Sequence, residues 1–165
     1  MRTLIFSPTR LGLGVSFLVS MIACNMSSSP APTTPTFSLE YRVTKGLDCA
    51  MVEDCGYKIE VAQTGALTHY KDTGTKPLVL SGQALLAPTQ MDDLQRLLDE
   101  NGFFGFPDLL PLDNPVAGGG SATVTYVEWP SRTRKSVTMM KGSPLPREAD
   151  LLISRLDSFF VSVME

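Results

Sequence analysis

One histidine, three cysteines and a short glycine run are where this chain of 165 residues could do chemistry. His69 is the sole imidazole, so any hydrolase triad has to use it. No Gly-x-Ser-x-Gly elbow occurs anywhere in the chain. If Thr64-Gly65 is a two-residue hairpin turn, Ile59 faces Tyr70, Val61 faces Thr68, and Glu60 faces His69 and could orient the ring. No nucleophile falls beside that pair, so His69 reads as a surface residue on a strand. Cys49 and Cys55 can bond to each other, remain thiols, or hold zinc with His69 and a carboxylate, although their spacing matches no standard zinc pattern. The run Gly118-Gly119-Gly120-Ser121 lacks the lysine of a phosphate loop and precedes a strand rather than a helix, so it reads as a flexible loop. No catalytic residue, metal ligand or cofactor follows from these groups, and the expectation is a protein that is not an enzyme.

Charge narrows the partners. There are 14 Lys+Arg against 17 Asp+Glu, a formal net charge of −3. Nucleic acid needs clustered cations and is not expected as a partner. The acids concentrate before Asn114. Beyond it, Arg132, Arg134, Lys135 and Lys141 gather on one predicted hairpin with no acid between them. Such a tip can meet anionic headgroups or an acidic protein, or simply be solvated. Arg132, Arg134 and Lys135 are the candidate contacts.

The N-terminus explains the odd cysteine. Arg2 and Arg10 precede an apolar run from Leu11 to Ala23, too short to span a bilayer comfortably but typical of an export signal. Met21-Ile22-Ala23-Cys24 resembles a bacterial lipobox, in which cleavage falls just before a cysteine carrying a diacylglycerol. Met21 departs from the usual leucine. An ordinary secretory signal and an uncleaved anchor are the alternatives. A lipid on Cys24 would supply the several acyl chains that stable anchoring requires. The expected organisation is a signal peptide over 1–23, a lipidated Cys24 with a linker over 24–36, and one domain over 37–165. Asn25 to Thr36 reads NMSSSPAPTTPT, an uncharged Ser/Thr/Pro spacer reaching roughly 35–40 Å if extended. Localisation is then the outer membrane or the cell-surface side. In that oxidising setting Cys49 and Cys55 are expected to form a disulfide.

The remaining segment patterns as α+β: an antiparallel sheet of about six strands in hairpins with two helices, in the order β-β-β-β-α-β-β-α. Phe37, Leu39, Tyr41 and Val43 alternate with polar residues, as do Tyr57, Ile59 and Val61. Ala66 to Lys71 completes a hairpin, and Leu78 to Leu86 is a further strand weakened by Gly82. Thr89-x-x-Asp92 opens a helix in capping-box style, with Met91, Leu94, Leu97 and Leu98 as its apolar stripe. Asn101-Gly102 ends it, and Phe103, Phe104 and Phe106 plug a core edge. Asp108 to Gly120 is loop. Ala122 to Tyr126 and Thr133 to Met140 flank a turn at Trp129-Pro130-Ser131-Arg132. A second helix runs from Pro146 to Val163, with Leu145, Ala149, Leu152, Leu156, Phe159 and Val163 inward.

From Ala84 to Phe160 the order of elements resembles emfourin, a small bacterial inhibitor of thermolysin-type metalloproteases. The features are the Leu94/Leu97/Leu98 helix, its Asn101-Gly102-Phe103-Phe104 ending, Phe106-Pro107, the strands Thr123 to Val127 and Ser136 to Thr138, and the Pro-preceded last helix. Cys49, Cys55 and Tyr57-Lys58-Ile59 resemble uncharacterised exported bacterial domains with a cysteine pair ahead of a hairpin, although Gly56 stands where those have proline. The resemblance implies a non-catalytic, protein-binding, inhibitor-like domain with a metalloprotease as its candidate partner. It transfers no inhibitory residue. A structural or assembly component of the envelope is the alternative function, and a hydrolase using His69 a more distant one.

Overall fold

Alternation in Phe37–Thr44 (β1) puts Phe37, Leu39, Tyr41 and Val43 on one side, all buried, and Ser38, Glu40, Arg42 and Thr44 on the other. That period of two fixes which face of the sheet is covered. The computed structural model describes residues 36–46, 49, 54–74, 77–111 and 119–165. The expected signal, Cys24, the spacer up to Pro35 and Gly118 lie outside the described residues. The other strands are Gly56–Val61 (β2), Ala66–Asp72 (β3), Val79–Leu85 (β4), Leu109–Leu110 (β5), Ser121–Glu128 (β6) and Arg134–Met140 (β7). The helices are Pro88–Glu100 (α1) and Arg147–Met164 (α2).

The α+β class holds, with seven strands in the order β4-β3-β2-β1-β6-β7-β5. β1 lies between the β2-β3-β4 meander and the β6-β7 hairpin and pairs along most of its length with both neighbours. The strand not expected is β5, two residues inside the segment read as loop. It pairs parallel with β7 and drops Leu110 into the core. Two residues carry no periodicity to read.

The β2-β3 hairpin corrects the expected register by one residue. Ile59 faces His69, Glu60 faces Thr68 and Val61 faces Leu67. The turn has three residues, Gln63-Thr64-Gly65, closed by Ala62 N–H to Ala66 O at 2.8 Å and Gly65 N–H to Ala62 O at 2.9 Å. Gly65 takes φ +82°, the left-handed position that ends a three-residue loop. A slip of one residue moves every side chain on one strand relative to its partners.

Both helices pack on the covered face. α1 starts two residues earlier than the Thr89-x-x-Asp92 pattern predicts, with Ala87 rather than Thr89 at its cap. Pro88 occupies its first turn, and the Gln90 Oε1 accepts the Ala87 N–H at 2.8 Å. Proline suits that position because its missing N–H would have had no helical partner. Met91, Leu94 and Leu98 are buried, and the chain leaves the helix through Gly102 at φ +70°. Phe103 then fills the core while Phe104 is 41% exposed against Tyr126. In α2 the buried stripe is Ala149, Leu152, Ile153, Leu156 and Phe160, with Phe159 and Val163 only partly buried. The expected stripe was rotated in its last turns, because Phe160 stacks on Tyr41 with ring centroids 5.9 Å apart.

Candidate functional site

The sheet face opposite the helices carries its side chains in cross-strand rows. Read from β3 to β7, one row is Thr68, Glu60, Glu40, Thr125 and Ser136. The next is Tyr70, Lys58, Arg42, Thr123 and Thr138. Hydroxyl pairs bridge β1, β6 and β7: Thr44 to Ser121 at 2.8 Å, Thr125 to Ser136 at 2.9 Å and Thr123 to Thr138 at 3.1 Å. Like charges stand opposite each other in both rows, Glu40 across from Glu60 and Arg42 across from Lys58. That arrangement is unfavourable within a sheet. It is offset along the strands, where Lys58 reaches Glu60 at 2.6 Å, and at the margin, where Arg42 lies 3.6 Å from Asp72. Glu40 and Arg134 are exposed and have no ion-pair partner among the described residues. Between them lies an open hollow of about 430 Å³, floored by Ser38, Thr68, Thr125 and Val127. Sequence alternation predicts that this face is polar. It does not predict that the acids and bases fall into separate rows, because those rows depend on the register of strands far apart in the chain.

His69 lies on the helix side of the sheet, next to Tyr57, with ring centroids 5.6 Å apart. Its expected partner Glu60 is on the opposite face. The side chain found at its Nδ1 is Ser81 Oγ, on β4, where the β3-β4 pairing slips by one residue. Burial lowers the pKa of the imidazole. No carboxylate hydrogen-bonds to the ring among the described residues. One step further in, the phenols of Tyr41 and Tyr57 both donate to Asp157 Oδ1 of α2, at 2.6 and 2.5 Å. Burial, then the bond to Asp157, raises the pKa of both phenols. This carboxylate fastens α2 to β1 and β2 and satisfies the hydroxyls of the buried Tyr41 and the half-buried Tyr57 at once. Among the described residues no buried side-chain polar atom lacks a partner.

Cys49 and Cys55 lie at bonding distance, with Cα atoms 4.5 Å apart. The loop they close is also held by Asp54, whose carboxylate pairs with Lys45; that hydrogen bond lowers its pKa. A pairing of this kind is compatible with an exported protein. The three candidate contacts of the last hairpin do not form one patch. Arg134 projects from the open face, opposite Val127. Lys135, next in sequence, points the other way, and its ammonium donates to Phe106 O at 2.6 Å and Asp108 Oδ1 at 3.0 Å. Arg132 sits over the Trp129 ring at 5.5 Å. Strand alternation separates neighbours that look clustered in a linear sequence. Among the described residues no three His, Cys, Asp or Glu side chains come together, and no helix is long and apolar enough to cross a membrane. No family model and no curated protein matches this chain.

Proposed function

We propose that the chain is an exported bacterial lipoprotein whose α+β domain binds a protein partner on the open face of its sheet and catalyses nothing. The observation that carries this reading is the uncovered face itself. Two helices cover one side of a seven-stranded sheet, and no described element packs on the other. That side presents hydroxyl ladders, an acidic row beside a basic row, and the charges of Glu40 and Arg134, which have no ion-pair partner among the described residues. Such a surface suits a partner with complementary charge and hydrogen-bonding groups, because opposed charges fix register and steer encounter. The anchor rests on the lipobox-like Met21 to Cys24. The inhibitor-like version rests on the resemblance of Ala84 to Phe160 to emfourin.

Titration of the protein against a panel of thermolysin-type proteases tests that version. Inhibition at micromolar levels or below is expected, and its absence across the panel removes the protease as partner. Crosslinking in cells then separates an envelope-resident partner from a soluble one. The proximity of Ser81 to His69 favours the hydrolase reading in one respect only, since the orienting carboxylate that a triad requires is on the wrong face. Under the binding proposal, His69→Ala leaves any phenotype of the protein unchanged.

A further inference from the structure

The two ends of the sheet are finished differently. At one end β5 is only two residues long and runs into Pro111, and the tethered Lys135 lies against the segment that leads into it. Short strands, proline and charge are the ordinary means by which a sheet edge is kept from pairing with another chain. The other end is β4, Val79–Leu85, seven residues with the sequence VLSGQAL. It contains no charge and no proline. Its only paired neighbour is β3, and among the described residues no backbone group bonds to its outer edge. Val79, Leu80 and Leu85 are 50%, 54% and 74% exposed, more exposed large apolar side chains than any other described strand carries. The slip at Ser81 is its single irregularity, and Gly82 to Leu85 continue in regular pairing beyond it.

We propose that two copies of the chain associate through their β4 edges, antiparallel about a two-fold axis, joining the two sheets into one. A second copy fits this edge for three reasons. A strand without charge meets its own copy with no like charges opposed. The apolar side chains that each copy exposes become cover for the other. Because the β5 end is blocked, only like edges can meet, so the contact is isologous and closes at two rather than growing into a fibre. One strand pair is a small interface, so the dimer is weak, with a dissociation constant on the order of micromolar or above. The inference is independent of what the open face binds, since the edge and the face are different surfaces.

Sedimentation of the full-length chain in detergent, between about 1 and about 200 µM, reads the association directly. A monomer-to-dimer transition is expected, accompanied by slower amide exchange over 79–85 at the higher concentration. The double variant Leu80→Lys/Leu85→Lys, changed only at exposed positions, is expected to weaken the dimer by about tenfold or more. Leu109→Lys at the other end leaves it unchanged. Circular dichroism checks that each variant is folded. A wild-type chain that stays monomeric throughout, or a dimer that survives the edge lysines, overturns the proposal. Protection of the outward-pointing β4 amides, those not bonded to β3, that is independent of concentration overturns it too, because the edge would then be covered by the chain itself.

Discussion

Asp157 is the residue on which the two layers converge. Its Oδ1 accepts hydrogen bonds from Tyr41, which is fully buried, and from Tyr57. Both phenols ionise in the folded chain only well above their ordinary value of 10.0. Below that value they are neutral whether the chain is folded or not, and their contribution to stability is complete. As pH rises above about 10, the unfolded chain releases protons that the folded chain retains, so stability falls. Alkaline unfolding followed by circular dichroism is expected to show this loss, and Tyr41→Phe to reduce its slope. Near neutral pH, Asp157→Ala leaves the Tyr41 hydroxyl without its carboxylate and is expected to cost about 1–3 kcal/mol in denaturant unfolding. His69 acts in the opposite pH range. Burial depresses its pKa below the ordinary 6.5, so its contribution is complete above that value and is lost as pH falls beneath it. Thermal unfolding between about pH 5 and pH 7 should show less slope for His69→Gln than for the parent chain. Neither cluster was legible in the sequence. Tyr41 and Asp157 are 116 positions apart, and Ser81 meets His69 because of an irregular pairing that leaves no local signature.

At the scale of elements, most strands and both helices could be read from periodicity, because a period of two or 3.6 reports the buried side directly. β1, the Met91/Leu94/Leu98 stripe and the Asn101-Gly102 stop all follow from their residues. Periodicity does not report a boundary or register that depends on one backbone conformation. Thr64-Gly65 has the sequence of a two-residue turn, whereas Gly65 serves a three-residue one and turns the neighbours of His69 to other partners. A β-carbon at Gly65 would lie 2.7 Å from Leu86 O, in addition to the strain of its positive φ. Gly65→Ala is therefore expected to destabilise the domain by about 1–3 kcal/mol, measured by urea unfolding. Should the stability be unchanged, the loop does not hold the register as described.

At the scale of the whole molecule, the described residues form a sheet with one covered face, one open face, one blocked edge and one bare edge. The α+β class and the cysteine pair could be read ahead of the structure. The separation of the open face into charged rows, the divergence of Arg132, Arg134 and Lys135, and the contrast between the two edges could not, since each depends on strands brought together from distant parts of the chain. Under the proposed export, loss of Arg2 and Arg10 with a signal peptide would take the formal charge from −3 to −5, and the basic row and Arg134 would then be local exceptions on an acidic domain. Site-specific photocrosslinking in the producing cell tests the central claim most directly. With a photoreactive residue at Glu40 or Arg134 of the full-length chain, a discrete adduct with a second protein is predicted. The same residue at Ser154, on the exposed side of α2, is predicted to give none. No adduct from the open face, or the same adduct from Ser154, would contradict the assignment of that face as the binding surface.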